Sequence, residues 1–142
     1  CELRLKGYKN ALSKAGIKYD PDLVYYTHYS TETGAEAAKK LINDYNDVTA
    51  IFSFGDLISI GILHTLNELK YAVPEKISLI SVDDIALAKY CHPPLTTIAQ
   101  PKILIGESCA NTLLDIIENK APKDKIKVLE HELIIRKSTA PI

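Results

Sequence analysis

The most distinctive polar feature of the sequence is the pair Asp83-Asp84, which directly follows the apolar segment 77–82. A glycosidase needs two carboxylates that face each other across the bond to be cleaved. Successive side chains of a strand alternate between its two faces, so neighbouring aspartates at a strand end diverge. One of them can therefore face a ligand crevice while the other caps the following turn. The alternative is that both simply cap the turn before Ile85.

The other reactive side chains lack the spacing of a metal site or a catalytic site. The histidines lie far apart in the sequence, and the Cys91-His92 pair has no third group that would orient it. The sequence contains no P-loop, GxGxxG or GxSxG motif. It therefore predicts no catalytic residue, no metal, no cofactor and no enzyme activity. The four histidines are His28, His64, His92 and His131.

The cysteines are odd in number and form no CxxC motif; they are Cys1, Cys91 and Cys109. This usage is typical of buried or incidental thiols in a reducing compartment rather than of a disulfide framework. No basic region followed by an apolar stretch opens the chain, so we expect no signal peptide. These features predict a cytoplasmic protein.

The composition is that of a soluble globular domain. The chain has 142 residues, of which 46% are hydrophobic and 25% are charged. It has no run of 18 apolar residues, so we expect no membrane span. The formal net charge is −1, and the nearest approach to a basic cluster, residues 120–127, contains Asp124. Because phosphate contacts dominate nucleic-acid affinity, the chain by itself is not expected to bind DNA.

Apolar segments of strand type alternate with helical periodicity along the chain. This pattern is typical of βαβ units and predicts an α/β fold with a parallel sheet flanked by helices. The helices are expected to begin at Glu2, after Ser30 or Thr31, at Asp56 and at Pro101. The strands are expected at 23–29, 49–54, 77–82 and 96–100, with a loop at 121–125 and a strand or a pair of strands at 126–136.

Ligands of such folds bind in the crevice at the carboxyl ends of the strands. That rule selects residues 29–31, 55–56, 83–84 and 100–101. A helix at 2–15 without a preceding strand is an unusual start for an α/β domain, and we expect that the chain is a fragment that lacks an upstream portion.

Five sequence blocks, in order, resemble the LacI/GalR family of transcription regulators. They cover essentially the whole chain, whereas one block alone would be weak evidence, since periplasmic sugar receptors share parts of the pattern. The blocks are RLKGY at 4–8, IFSFGDL at 51–57 with Ile60-Gly61, VDDIALA at 82–88, PPLTTIAQP at 93–101 and ELIIRKST at 132–139.

The resemblance implies a sensor similar to a type I periplasmic binding protein, in which two α/β lobes joined by three crossovers enclose the ligand. Residues 1–94 would belong to the C-terminal lobe without its first strand. Residues 95–122 would cross into the N-terminal lobe, and residues 123–142 would return to the C-terminal lobe. The DNA-binding helix-turn-helix would lie upstream of this chain.

The resemblance also implies an effector site. Asp83 matches the family's aspartate that accepts hydrogen bonds from ligand hydroxyls, and Arg4 matches an arginine that faces the same cleft. Tyr29 lies where an aromatic ring often lines the site, and Gln100 lies at the crossover. The alternatives are a surface helix role for Arg4, sheet packing for Tyr29, and a cap for the helix after Pro101 in the case of Gln100.

Gly55 departs from the family pattern, which commonly has asparagine just before Asp56. The glycine removes a polar ligand contact and could leave room for a larger ligand substituent. Asp56 itself is interpreted first as a helix N-cap and second as a ligand-facing residue.

The same template predicts a homodimer interface. It would include residues off the apolar stripe of the helix that begins at Asp56, together with residues that follow Asp84. The alternative is that these side chains belong to an ordinary core. The predicted interface residues are Ile60, His64, Leu87, Tyr90 and Cys91.

The function implied is that of a repressor whose DNA affinity changes when a sugar binds, with operator DNA contacted only through the upstream domain. A sugar receptor of a transport system is the alternative, for which an upstream signal peptide would be evidence. A galactoside or another plant- or milk-derived sugar is the expected effector, while purines and phosphorylated sugars stay open. The sequence shows no strongly basic cleft, which argues against a multiply phosphorylated ligand.

Overall fold

A computed structural model describes residues 2–120 and 126–141. Its sheet has the order β1-β2-β3-β4. β1, β2 and β3 run parallel, and β4 pairs antiparallel with β3. The strands are β1 (Ala50–Phe52), β2 (Ser78–Asp83), β3 (Thr96–Ala99) and β4 (Glu132–Ile134). The expected α/β class is therefore confirmed. The predicted loop at 121–125, the boundary between residues 122 and 123, and Cys1 lie outside the described residues.

Within residues 2–120 and 126–141, four α-helices accompany the sheet, and two single 3₁₀ turns lie at Pro21–Leu23 and Ala88–Tyr90. The core forms where α3 (Asp56–Glu68) packs between α2 (Thr31–Asp44) and β2, and its most buried side chains include Leu66, Ile77 and Leu79. Three helix starts match the predicted ones, and the last helix begins at Lys102, one residue after the predicted Pro101. Ser30 caps the helix at Thr31–Asp44 by accepting a hydrogen bond from the Thr33 amide at 3.3 Å. The helices are α1 (Glu2–Lys14), α2 (Thr31–Asp44), α3 (Asp56–Glu68) and α4 (Lys102–Ile117).

The predicted strand at 23–29 is wrong. Asp20 accepts a hydrogen bond from the Asp22 amide at 2.9 Å and begins the first 3₁₀ turn. Residues 24–29 form no strand and are not part of the sheet in the described part of the chain. Tyrosine, valine and threonine favour extended backbone locally, but a strand also needs a neighbour to which its amides can donate. The predicted strand at 126–136 is likewise reduced to the three residues of β4.

Helices α2 and α3 cross closely because glycine lies at the contact on both sides. A Cβ at Gly61 would lie 1.8 Å from the carbonyl oxygen of Thr31, and one at Gly34 would lie 2.3 Å from that of Ile58. Atoms cannot approach so closely, so any larger residue must separate the two helices. Gly61 belongs to one of the family-like blocks, and the crossing gives the physical reason for its type.

Gly61→Ala is expected to lower the free energy of unfolding by about 3 kcal/mol, because the clash is with backbone and only a shift of a whole helix relieves it. Thermal and urea unfolding followed by circular dichroism measure the effect. Gly7→Ala is the matched control, since nothing lies within 4 Å of a Cβ at that exposed position of α1. Equal stability of the two variants would contradict the close crossing.

Helix α4 differs from α2 and α3 because none of its residues is buried. It nevertheless carries a run of large apolar side chains, all of them exposed. No helix in the described ranges is both long and apolar enough to cross a bilayer. The exposed apolar residues of α4 include Ile103, Leu104, Leu113, Leu114, Ile116 and Ile117.

Candidate effector site

The turn that leaves β2 has an unusual backbone. Asp83 and Asp84 both have positive φ, at 115° and 47°. Residues other than glycine occupy this region at a cost of about 1–3 kcal/mol each, so surrounding contacts must hold them there. Two such residues in succession mark the carboxyl end of β2 as a place where the fold maintains strain. Strain of this kind is concentrated at ligand-binding sites.

The carboxylate of Asp83 accepts two hydrogen bonds and pairs with one cation, all from distant parts of the chain. The Tyr29 hydroxyl donates to Oδ2 at 2.6 Å, and the Gln100 amide nitrogen donates to Oδ1 at 2.6 Å. The guanidinium of Arg4 lies 3.7 Å from Oδ1. The structure thus brings together the four residues Asp83, Arg4, Tyr29 and Gln100, at the carboxyl ends of β2 and β3. A carboxylate with cationic, amide and phenolic donors around it is suited to polyhydroxylated ligands.

Arg4 reaches the cluster because of the way α1 is anchored. Its guanidinium also donates to the carbonyl oxygen of Phe54, just after β1. Tyr8 lies one turn further along the same face of α1 and packs against Phe52, with ring centroids 6.4 Å apart. Arg4 thus pairs with Asp83, and its contact with a ligand stays a prediction.

The bond to Asp83 changes the acidity of Tyr29. This hydrogen bond raises the pKa of the phenol to about 12; partial burial and the negative charges of Asp83 and Asp56 act in the same direction, while Arg4 opposes them. A phenol with a raised pKa stays protonated and keeps donating to Asp83 throughout the neutral range.

Gly55 lies beneath the ring of Tyr29. A Cβ at this position would lie 2.2 Å from Cε2 of the ring. The space that the absent side chain leaves is therefore filled by Tyr29 in this structure, rather than being open to a ligand substituent.

Asp56 has a different place from the one predicted. Gly55 is the N-cap of α3, and Asp56 is the first residue of the helix, with no exposed surface. Its Oδ2 accepts a hydrogen bond from the amide of Ile85 at 2.8 Å, and its Oδ1 accepts one from the hydroxyl of Thr97 at 2.7 Å. The N-cap interpretation is corrected accordingly. Asp56 is buried rather than ligand-facing, and its hydrogen bond with the Ile85 amide supports the strained turn at Asp83-Asp84.

Asp84 is held by Arg136. The sequence motifs did not identify this arginine as a site residue. Nη2 of Arg136 donates to Oδ1 of Asp84 at 2.7 Å, and Nη1 donates to the carbonyl oxygen of Leu95 at 2.8 Å. Lys102 adds a bond to the carbonyl oxygen of Asp84 at 2.6 Å. The side chain of Asp84 thus pairs with a distant cation. The signal was present in the block ELIIRKST, which contains the arginine.

The predicted interface residues fall into two groups. Leu87 and Tyr90 are 57% and 74% exposed, and His64 is exposed beside Glu68. Ile60 and Cys91 are partly buried and pack against the core. Leu87, Tyr90 and His64 are thus accessible for a subunit contact. Ile60 and Cys91 fit the alternative of an ordinary core.

The thiol of Cys91 is 3.4 Å from the carbonyl oxygen of Leu87, to which it donates. Burial raises the pKa of this thiol, and the negative charge of Asp56 acts in the same direction.

Within residues 2–120 and 126–141, no group of three or more histidine, cysteine or acidic residues could hold a metal ion.

The sequence matches the family described as a periplasmic binding protein-like domain over residues 1–139. It is 37% identical to the transcriptional repressor CytR of Escherichia coli K12 over 139 residues, which is 98% of this chain and 41% of that protein. The ribose operon repressor of Haemophilus influenzae is 36% identical over 135 residues, which cover 95% of this chain and 41% of the repressor.

Solved structures of transcription regulators have a fold similar to that of this chain. The transcriptional regulator CelR in complex with cellobiose has a TM-score of 0.90 at 35% identity, covering 95% of this chain and 41% of that one. The regulator CcpA of Lactococcus lactis has a TM-score of 0.91 at 29% identity, covering 96% and 50%. The chain therefore spans about two fifths of the length of the curated relatives it matches. It belongs to the LacI/GalR family, and its fold is that of the family's periplasmic binding protein-like sensor domain.

Proposed function

We propose that this chain forms the effector-binding part of a transcriptional repressor whose affinity for operator DNA changes when a sugar binds. The observation that carries the proposal is the Asp83 carboxylate, which accepts hydrogen bonds from Tyr29 and Gln100 and pairs with Arg4 at the carboxyl ends of the strands. The similarity to CelR, whose solved structure is a cellobiose complex, supports a sugar as the class of ligand.

The geometry suits exchange of internal donors for ligand hydroxyls. Both oxygens of Asp83 are hydrogen-bonded within the chain, so the charge is not left unsatisfied. A sugar hydroxyl can replace one donor at little cost, because it makes the same kind of charge-assisted bond. The side chain of Asp83 remains partly exposed, as an exchangeable site requires.

The proposed arrangement has residues 1–94 in the C-terminal lobe, 95–122 crossing to the N-terminal lobe, and 123–142 returning. Helix α4 supports it, because a helix with several large apolar residues and none buried needs another surface to cover it. The antiparallel pairing of β4 with β3 suits two crossovers that run side by side in opposite directions. The N-terminal lobe in the full-length protein would cover α4 and close over Asp83.

Signal transmission would use a homodimer in the cytoplasm. The exposed apolar side chains of Leu87 and Tyr90, beside His64, are the proposed contact, extended by Ile60 and Cys91. Closure of the lobes would shift this contact and with it the upstream DNA-binding domains. Coupling between sites is typically about 1–3 kcal/mol, which changes operator affinity about five-fold to a hundredfold.

A transport receptor of similar fold is the other function considered. The named relatives are repressors, which favours the regulator. An enzymatic role has no support from the site, because Asp83 and Asp84 bind different partners rather than facing each other.

Sugars are expected to stabilise the full-length protein. A ligand at 100 times its Kd raises the free energy of unfolding by about 2.7 kcal/mol, and the melting temperature rises with it. Thermal unfolding with D-ribose, D-galactose and cellobiose checks this, with glycerol at the same concentrations as a control for nonspecific osmolyte effects. Stabilisation by adenine or guanine and by none of the sugars would contradict the proposed class of effector.

A further inference from the structure

Gly55 is glycine because of a neighbouring ring and not because of its own backbone. Its φ of −175° is extended backbone that any residue adopts. A Cβ there would lie 2.2 Å from Cε2 of Tyr29 and 3.1 Å from Cζ, whereas carbon atoms pack at about 3.5–4.0 Å. Any other residue at position 55 must therefore displace the ring of Tyr29 from the place where it now lies.

The displaced ring would take its hydroxyl away from Asp83. Tyr29 is 54% exposed, so little else fixes its ring, yet its hydroxyl lies 2.6 Å from Oδ2. Charge-assisted bonds of this length are about twice as strong as neutral ones. The glycine and the carboxylate together thus hold Tyr29 across one side of the site.

We infer that Gly55 and Tyr29 act as one specificity-determining unit, in which the phenol keeps Oδ2 of Asp83 and leaves only Oδ1 for the effector. The inference rests on the proposed function. At Oδ1 the present partner is the amide of Gln100, on a flexible side chain that a ligand hydroxyl can replace. Asp83 then accepts ligand hydroxyls at Oδ1, and a neighbouring hydroxyl of the same sugar that would reach Oδ2 has to find another partner.

The unit therefore selects among sugars by the arrangement of their hydroxyls. A carboxylate with both oxygens open can accept two adjacent hydroxyls, one at each oxygen. With the hydroxyl and ring of Tyr29 on the Oδ2 side, ligand hydroxyls are accepted at Oδ1. Any residue with a Cβ at position 55 excludes a ring placed like that of Tyr29.

The first test needs no effector, so it is independent of the proposed function. The full-length protein carries ¹³Cζ-labelled tyrosine, and Tyr29→Phe assigns the resonance of this one among the eight tyrosines of the chain. With a pKa of about 12, Tyr29 is roughly one tenth ionised at pH 11. In Gly55→Ala, the ring loses Asp83, its pKa falls towards the ordinary value near 10, and about nine tenths ionise.

Gly7→Ala is the matched control and should leave the Tyr29 resonance unchanged. A Tyr29 that stays protonated at pH 11 in Gly55→Ala would overturn the inference. If circular dichroism shows either protein unfolded at that pH, crystal structures at neutral pH decide. The distance from the Tyr29 hydroxyl to the Asp83 carboxylate must then exceed hydrogen-bonding range in the variant, and a retained bond overturns the inference.

The second test measures selectivity. Tyr29→Phe keeps the ring and frees Oδ2, so the ratio of the Kd values for two sugars, among D-ribose, D-galactose and cellobiose, should change by about tenfold or more. An equal change for every sugar that binds would overturn the specificity role. Failure of all three sugars to bind the wild type would count against the proposed effector class, and the tyrosine titration then decides the inference alone.

Discussion

Asp83→Asn is expected to weaken effector binding about ten- to a hundredfold and to leave the full-length protein folded. A hydrogen bond to a charged group contributes about 1.5–3 kcal/mol, and the substitution removes both the charge and one acceptor oxygen. Asparagine is the appropriate replacement because it tolerates the positive φ of this position better than alanine does. Isothermal calorimetry with the sugar that stabilises the wild type measures the change.

The control for this prediction is Asp44→Asn, which also removes one negative charge. Asp44 lies on the exposed surface and accepts a long bond, at 3.5 Å, from the Tyr25 hydroxyl. Its variant should bind the effector like the wild type. An unchanged Kd in Asp83→Asn, with both variants folded by circular dichroism, would remove Asp83 from the site and with it the proposed mode of binding.

The position of the site could be predicted because it follows from topology. Parallel strands that alternate with helices place their carboxyl ends at one edge of the sheet. The residues at that edge can therefore be identified from the sequence order alone. Asp83 and Gln100 needed no more than this rule. The same rule selected Tyr29, but from a strand at 23–29 that the described fold does not contain, and Arg4 needed the family resemblance.

The contacts that hold the site could not be predicted, because they join residues far apart in sequence. Arg136 reaches Asp84 across 52 positions, and Thr97 reaches Asp56 across 41. A local pattern identifies Asp56 as a helix start but cannot show which distant donors its carboxylate meets. The strand predicted at 23–29 failed for the same reason, since pairing is a non-local property.

Gly55 is a position where the sequence showed that a side chain is missing but not which group uses the space. Its departure from the family pattern was visible in the sequence, and it suggested space for a ligand. The structure fills that space with the ring of Tyr29, 26 positions earlier in the chain. A missing side chain shows that something needs room, and only the packing shows what it is.

Asp56→Ala is expected to lower the free energy of unfolding by about 3–5 kcal/mol. The side chain is fully buried, and its loss leaves the Ile85 amide and the Thr97 hydroxyl without their acceptor. Each buried donor left unsatisfied costs about 1–3 kcal/mol, and a cavity adds to the loss. Urea unfolding of the full-length protein, followed by circular dichroism, measures the difference.

A double-mutant cycle with Thr97→Val separates the network from simple loss of packing. Thr97→Val removes one donor to Asp56 and preserves the volume, so the two substitutions should be non-additive by about 0.5–3 kcal/mol. Additive effects, or a cost below about 1 kcal/mol for Asp56→Ala, would contradict a supporting role for this carboxylate. Because Asp56 binds the amide two residues beyond Asp83, its loss should also weaken effector binding, even though it touches no ligand-facing group.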